Sequence, residues 1–193
     1  SAGVIIQEED FSVSAFPVFH RGQDCFGYLF EEKNRRPFLP ELADALGVPP
    51  GPERRLLVKG FPVTLAGGRV IQPDQVLGEE RVGTRLVHVG DVGRIDDLVS
   101  VCSKADLLVI EATYLEEEVE MAQQFAHLTA QKAAQLAIQA QVKNLILTHI
   151  SRRYRERDVI AEARAIFPEA IVARDFDSFQ VKRGELIRVG LSD

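Results

Sequence analysis

The sequence runs Leu145-Ile146-Leu147-Thr148-His149 and continues directly into Ile150-Ser151-Arg152-Arg153-Tyr154. The apolar run predicts a buried strand that delivers His149 to the carboxyl end of a sheet, where α/β proteins place their functional sites. The turn that follows combines a hydroxyl group with arginines, which suit the recognition of phosphate. This stretch alone also fits a purely structural histidine, so the prediction of a site depends on the rest of the chain.

Two further apolar runs end in the same way. The run from Leu86 to Val89 leads into Gly90-Asp91, and the run from Leu107 to Ile110 ends at Glu111. Helical patterns separate these runs after Gly83, and such alternation predicts a layered α/β sheet. Three strands that each end in a possible metal ligand or acid–base group indicate a functional edge. We predict that His88, in mid-strand, belongs to the core or to a site wall.

The composition bounds the class of protein. With 193 residues, 46% of them hydrophobic, the chain suits one domain or a large fragment of a bigger one. No apolar run is long enough to cross a bilayer, so we expect no membrane association. Cys25 and Cys102 form no spaced pair, which favours packing roles and a reducing cytoplasm. A net charge of −6 argues against RNA binding through bulk charge, although local basic clusters stay possible.

Residues 33–78 differ in composition from the rest of the chain. They hold most of the prolines and predict two short helices, at Glu41–Leu46 and Glu53–Val58, followed by a turn at 66–68 between two short strands. We predict a protruding arm that is inserted between two core strands and has little core of its own. Long insertions of this kind are usually either functional or disordered.

Five residues form a candidate reaction centre. His20, His127, His149, Asp91 and Glu111 all fall at predicted element ends or in loops. Imidazoles and carboxylates are ligands that zinc prefers, and a carboxylate that bridges two ions suits phosphodiester hydrolysis. His127 precedes a helix, whose amino terminus opposes protonation of the imidazole unless a carboxylate such as Glu111 compensates. A turn residue, a cap and a surface histidine are the plainer readings of Asp91, Glu111 and His127.

Six motifs, spread in order over nearly the whole chain, resemble those of ribonuclease Z, the tRNA 3′-processing endonuclease of the metallo-β-lactamase fold, in its short form. Five of them contain or adjoin the residues above, and the sixth lies in the predicted arm. They are Phe19-His20 with Phe26-Gly27-Tyr28, then Val48-Pro49-Pro50-Gly51-Pro52, Val89-Gly90-Asp91, Ile110-Glu111-Ala112-Thr113, His127-Leu128-Thr129, and Leu147-Thr148-His149-Ile150-Ser151 with Arg153-Tyr154.

The resemblance implies roles for the reaction centre. His20, Asp91 and His149 would bind zinc, with Asp91 bridging two ions in the intact enzyme. Glu111 and His127 would act as a catalytic pair in which His127 donates the proton. The implied reaction is the zinc-dependent removal of the 3′ trailer from precursor tRNA, which leaves a 3′-hydroxyl on the tRNA.

The resemblance also implies how the substrate is held. Ser151 and Arg153 would lie near substrate phosphate, and Gly51 and Pro52 would belong to an arm, residues 33–78, that grips the tRNA far from the chemistry. Two alternatives stay open: another phosphodiesterase or hydrolase of the same superfamily, and a non-catalytic RNA-binding half.

The departures from the family pattern are equally informative. Ile110, Leu128 and Val92 replace usual motif residues, but none of these positions is a metal ligand. The family signature His-x-His-x-Asp-His, which supplies most of the zinc ligands, does not occur. We therefore predict that residues 1–193 form the C-terminal portion of a metallo-β-lactamase-like αββα sandwich.

Half of such a sandwich would expose the inner apolar face of its sheet. We expect this chain to pair with the missing N-terminal half or with a second copy, since monomers seldom tolerate large apolar patches. The family is commonly a homodimer. With only three of its ligands present, the isolated chain should show little or no catalysis.

Overall fold

The computed structural model describes residues 2–22, 24–182 and 184–189. The chain divides into two compact units, which are Ser1–Glu32 with Thr84–Asp193, called here the sheet unit, and Lys33–Gly83, called the arm unit. Among the described residues, none of the helices combines the length and apolar character that crossing a bilayer requires.

The described residues form eleven strands and six α-helices. The strands are β1 Gly3–Gln7, β2 Phe11–Pro17, β3 Phe26–Glu32, β4 Val63–Thr64, β5 Val70–Ile71, β6 Arg85–Val89, β7 Leu107–Glu111, β8 Leu145–Thr148, β9 Ile171–Val172, β10 Ser178–Lys182 and β11 Glu185–Val189. The helices are α1 Pro40–Ala45, α2 Pro52–Val58, α3 Val99–Cys102, α4 Val119–Phe125, α5 Ala130–Gln139 and α6 Glu156–Arg164, with short 3-10 turns at Pro73–Gln75, Asp96–Leu98 and Glu116–Glu118.

The sheet unit is built on a seven-stranded sheet of order β1-β2-β3-β6-β7-β8-β9. The first four strands of that order pair antiparallel, and β6 to β9 pair parallel. The parallel half follows from the predicted alternation of strands and helices. Because β6, β7 and β8 run in one direction, their carboxyl ends meet at a single edge, as the three similar strand endings predicted.

One face of the sheet is covered by helices. Leu108 and Ile110 of β7 and Leu145 and Leu147 of β8 are fully buried in the main apolar cluster. Helix α5 contributes alanines to the same cluster, and their small side chains allow the helix to approach the strands closely. Strands β7 and β8 are buried almost throughout, which explains why they appear in the sequence as continuous apolar runs.

The opposite face of the sheet is largely open. Phe11, Tyr28 and Phe30 are about two-fifths exposed there, at 40%, 39% and 44%. The β10–β11 hairpin lines one end of this face, where Phe179 borders a groove of about 430 Å³. His88 lies on the open face and is exposed, so of the two places predicted for it, the core and a site wall, the core is wrong. The alternation of side chains along β6 sends Val87 and Val89 to the helices and His88 to the other side.

The arm unit contains the predicted pair of short helices and the predicted hairpin. Each helix begins at a proline, Pro40 or Pro52, where the missing N–H is harmless. The expectation of little core is wrong, because this unit has an apolar cluster of its own. The buried members, isolated in sequence but joined by the turns, are Ala43, Val48, Leu57, Val63, Ile71, Val76 and Leu77.

Thr129 caps the amino terminus of helix α5. The hydroxyl of Thr129 accepts a hydrogen bond from the backbone N–H of Lys132 at 3.1 Å and donates one to Glu116 Oε2 at 2.6 Å. Removal of the hydroxyl would leave the N–H of Lys132 and the carboxylate of Glu116 each without one hydrogen bond. Because Thr129 is buried, water cannot easily replace either bond.

We predict that Thr129→Ala lowers the free energy of unfolding by about 1–2 kcal/mol, the usual loss for a helix cap. Urea unfolding followed by circular dichroism measures the change. Ser178→Ala, which removes an exposed hydroxyl from β10, is the matched control and should change stability by less than about 0.5 kcal/mol. Equal effects of the two variants would contradict the capping role.

Candidate metal centre

Asp91 lies at the centre of the candidate site, in the loop that follows β6. Its Oδ1 is 3.4 Å from Nε2 of His149, and its Oδ2 is 3.9 Å from Nε2 of His20. The structure therefore brings the three predicted metal ligands together, with a different histidine beside each oxygen of the carboxylate. This arrangement suits a carboxylate that bridges two ions.

His20 is fixed by a contact on its other ring nitrogen. Its Nδ1 lies 2.8 Å from the carbonyl oxygen of Ala126, which only a protonated Nδ1 can satisfy. The Nε2 atom that faces Asp91 then carries the free lone pair that a metal ligand needs. Histidine ligands commonly have such a second contact, because it sets both the tautomer and the ring orientation.

Gly93 holds the His20 segment against the loop after Asp91. Its N–H donates to the carbonyl oxygen of Phe19 at 2.7 Å. A Cβ added at Gly93 would lie 3.0 Å from both Cα and Cβ of Ala126, which is closer than side chains normally approach. Ala126 itself has a left-handed backbone, with φ of 55°. Any larger residue at Gly93 would require the backbone of Ala126 to shift by a few tenths of an ångström.

His149 also has a left-handed backbone, with φ of 54°, directly after β8. Non-glycine residues rarely adopt this conformation, and the strain is typical of functional sites. Thr113 supports the turn, because its carbonyl accepts the N–H of Ser151 at 3.3 Å. The His149 side chain is 53% exposed.

Glu111 and His127 form the predicted pair. Glu111 is fully buried, and its Oε1 accepts from Nδ1 of His127 at 2.8 Å and from the N–H of Val92 at 2.7 Å. Its Oε2 accepts from the Thr113 hydroxyl at 2.5 Å and from the N–H of Leu128 at 3.2 Å. A buried carboxylate needs such donors, and here they come from three separate segments.

His127 stands between the two other histidines of the site. Its ring centroid is 5.0 Å from that of His20 and 5.4 Å from that of His149. With Nδ1 engaged by Glu111, Nε2 is the nitrogen left for chemistry. Ligand atoms of His20, Asp91 and His127 all lie within 4.8 Å of one another, so His127 is placed for either proton transfer or metal binding.

The donor set fits zinc. His20 and His149 offer imidazole nitrogens and Asp91 offers two oxygens, which are the ligand types that zinc binds in catalytic sites. Three protein ligands are too few to complete two tetrahedral sites. The thiol of Cys102 lies outside this set, and burial raises its pKa to about 12, which keeps it protonated in its packing position.

The predicted substrate residues fall in two places. Ser151 and Arg153 occupy the turn after His149, where the backbone N–H of Arg153 donates to the Ser151 hydroxyl at 3.4 Å. Gly51 and Pro52 lie in the arm unit, where Gly51 precedes α2 with φ of 141°, a conformation that favours glycine, and Pro52 opens the helix. The roles of these four residues toward RNA stay predictions.

Sequence reasoning missed the groups that orient the site. The carbonyl of Ala126 and the N–H of Val92 are backbone atoms, which carry no signal in a sequence. The role of the Thr113 hydroxyl was predictable in principle, because Thr113 belongs to the same sequence motif as Glu111 and follows it by two residues. Arg21 was also missed. Its side chain donates to the carbonyl of Phe125 at 2.9 Å and so supports the His20 segment.

Comparison with known proteins places this geometry in a family. The family model described as "Beta-lactamase superfamily domain" matches residues 53–150, about half of the chain. Ribonuclease Z of Bradyrhizobium sp. (strain ORS 278) is 45% identical over 93% of this chain and 60% of its own length. Ribonuclease Z of Methanothermobacter thermautotrophicus is 40% identical over 93% of this chain and 58% of its own length.

Two solved structures share the fold. Human tRNase Z, short form, has a TM-score of 0.51 at 22% identity, covering 97% of this chain and 46% of its own. The metallo-beta-lactamase fold protein YhfI from Bacillus subtilis has a TM-score of 0.53 at 14% identity, covering 95% of this chain and 52% of its own.

The chain spans about 60% of the length of the curated relatives it matches. This similarity shows common ancestry and a common fold, and the activity of the longer relatives comes to this chain only as a proposal. The predicted resemblance to ribonuclease Z and the predicted metallo-β-lactamase-like fold are both confirmed, and the chain belongs to the beta-lactamase superfamily.

Proposed function

We propose that this chain is the C-terminal portion of a zinc-dependent endoribonuclease of the ribonuclease Z type, which removes the 3′ trailer from precursor tRNA and leaves a 3′-hydroxyl. The observation that carries the proposal is the meeting of His20, Asp91 and His149 beside a buried Glu111–His127 pair. The free cysteines Cys25 and Cys102 agree with a reducing compartment, and we place the activity in the cytoplasm.

In this proposal His20, Asp91 and His149 would hold the zinc of the intact enzyme, together with ligands from the N-terminal half. When bound, paired zinc ions supply an activated water as the nucleophile and neutralise charge on the phosphodiester. The exposure of Asp91 and His149, 44% and 53%, leaves this part of the site open to a substrate as large as RNA.

His127 is the proton donor of the proposed reaction. Cleavage that leaves a 3′-hydroxyl on the tRNA makes the 3′ oxygen the leaving group, and that oxygen must receive a proton. The 2.8 Å contact with Glu111 offsets the charge of a protonated imidazole and holds the ring, so Nε2 is the nitrogen left to carry the proton. Glu111 therefore orients the acid without itself meeting the substrate.

We predict that His127→Ala, in a full-length version that includes the N-terminal half, lowers turnover of precursor tRNA by roughly 10²–10⁴-fold, the usual contribution of a general acid. Zinc content, measured by elemental analysis, should stay unchanged. Gln124→Ala, an exposed change in the same segment, is the control and should cleave normally. Lost zinc would instead make His127 a ligand, which its distance to His20 and Asp91 also allows.

The open face of the sheet supports the proposed partner. Phe11, Tyr28 and Phe30 are exposed together on neighbouring strands, and the relatives contain additional sequence that this chain does not match. We propose that the N-terminal half covers this face in the intact protein, which then assembles as a homodimer. Without that half, a second copy is the substitute that is always present.

We predict that the isolated chain does not behave as a well-defined monomer of 21.5 kDa in size-exclusion chromatography with light scattering. Association should weaken in Phe30→Lys, because a charge on the open face makes its burial unfavourable. Phe176→Lys, which alters an aromatic that is 85% exposed in a loop, is the control. A monodisperse monomer of the unmodified chain would contradict the expectation.

The arm unit supports RNA, rather than a small molecule, as the substrate. It has its own buried cluster and can therefore keep its shape as a discrete module. A small phosphodiester has no need of such a module. We propose that the segment around Gly51 and Pro52 binds the tRNA away from the cleaved bond, so that binding energy distant from the chemistry is used to hold the substrate.

The arm can be removed by design. The N–H of Glu32 donates to the carbonyl of Thr84 at 2.9 Å, so the end of β3 lies beside the beginning of β6. In the full-length version, Asn-Gly can replace Lys33–Gly83 as a two-residue hairpin turn. We predict that kcat/KM for precursor tRNA falls by roughly 10²-fold or more, as expected for loss of a second binding site, while hydrolysis of bis(p-nitrophenyl) phosphate is kept.

Other outcomes of this deletion favour the alternatives. Unchanged cleavage of both substrates would favour a small-molecule hydrolase of the same superfamily. Loss of both activities together would mean that the arm unit supports folding rather than RNA binding. Salt-sensitive binding of tRNA without cleavage by the full-length version would favour a non-catalytic RNA-binding role, which the net charge of −6 disfavours.

A further inference from the structure

The turn after His149 is tied down by one carboxylate. Oε1 of Glu118 accepts from Nη1 of Arg153 at 3.0 Å, and Oε2 of Glu118 accepts from the hydroxyl of Tyr154. Both oxygens of one acid are thus engaged by two consecutive residues of the turn. Glu118 ends the 3-10 turn that precedes α4, so the contact joins two segments that are far apart in sequence.

The contact leaves a defined part of Arg153 for a ligand. Nη1 is held by Glu118 and also lies 2.9 Å from Sδ of Met121. Among the hydrogen bonds between described side chains, none involves Nε or Nη2 of Arg153, and the side chain is 52% exposed. The Nε–Nη2 edge offers two parallel N–H donors, the pattern that matches two oxygens of a phosphate.

We propose that Glu118 is a positioning residue, which holds Arg153 by Nη1 so that its Nε–Nη2 edge is presented to an RNA phosphate beside the metal centre. The inference rests on the proposed function, in which Arg153 contacts substrate. A freely rotating arginine would lose side-chain entropy when it binds phosphate, and a prior anchor reduces that loss.

Stability alone is a poor explanation of this ion pair. Glu118 and Arg153 are 31% and 52% exposed, and pairs with such access to water contribute little to folding. The electrostatics are also unfavourable for binding, because a carboxylate beside the arginine repels a phosphate. Removal of the Glu118 charge should therefore strengthen RNA binding if charge alone matters, and weaken it if positioning dominates. The sign of the effect separates the two explanations.

The test uses Glu118→Gln in the full-length version, with kcat/KM for precursor tRNA as the readout. We expect a fall of roughly 3- to 30-fold, which lies within the range of coupling between residues in contact. Glu117→Gln, an exposed neighbour with the same change of charge, is the matched control and should leave kcat/KM unchanged or slightly raised. Tyr154→Phe, which frees one oxygen of Glu118, should have a smaller effect than Glu118→Gln.

A double-mutant cycle with Arg153→Ala tests whether Glu118 acts through the arginine. Positioning predicts that Glu118→Gln causes no further loss once Arg153 is removed, and that zinc content and melting temperature stay near those of the parent. An equal loss in both backgrounds would overturn the proposal in favour of a structural role. An effect of Glu118→Gln no different from that of Glu117→Gln would overturn it as well.

The same series separates this inference from the proposed function beneath it. Failure of the parent full-length version to cleave precursor tRNA would refute the function, and the inference with it. Normal cleavage by Arg153→Ala would refute the phosphate contact of Arg153. The positioning role of Glu118 would be refuted with it, because Glu118 is proposed to act through Arg153. Loss with Arg153→Ala and no loss with Glu118→Gln would refute the positioning role alone.

Discussion

The rest of the site depends on the burial of one carboxylate. Glu111 has no exposed surface, and a charge in that position is tolerated only if donors surround it. Val92 supplies one from the loop that carries Asp91, and His127 and Leu128 supply two from the segment before α5. Folding therefore cannot bury β7 without bringing these segments to its end. The donors around Glu111 thus join the loop after Asp91 to the segment of His127, whereas His20 is fixed separately through the carbonyl of Ala126.

Local patterns predicted the frame of the fold well, because they reflect local physics. The apolar runs of β7 and β8 are buried parallel strands, and Thr129 caps α5 through its own side chain. A shared strand direction then implied that Asp91, Glu111 and His149 would be neighbours. His20 follows an antiparallel strand, to which that rule does not apply. Its residue type and its place in a loop made it a candidate, but only the resemblance to a family gave it a role as a ligand.

The features that the sequence did not predict depend on contacts between segments that are distant in the chain. Ala126 and His149 have left-handed backbones although neither is a glycine, and the carbonyl of Ala126 fixes His20. Such conformations result from the packing around Gly93 and Thr113, not from the residues that adopt them. His88 was misjudged because one residue of register decides which face a strand residue meets. The apolar cluster of the arm unit was not predicted, because its members are single apolar residues that form no periodic pattern in the sequence.

The site has two parts that differ in how they are held. The acid–base pair is preorganised by the protein, since each oxygen of Glu111 has protein donors and His127 is fixed through Nδ1. Asp91 and His149, in contrast, are half exposed and face each other across 3.4 Å, a spacing that an ion between them would stabilise. In the proposed function, metal binding would therefore need ligands from elsewhere, whereas the Glu111–His127 contact is complete within this chain. If the proposed function holds, such a division would allow the Glu111–His127 pair to form first and the metal to bind when the site is completed.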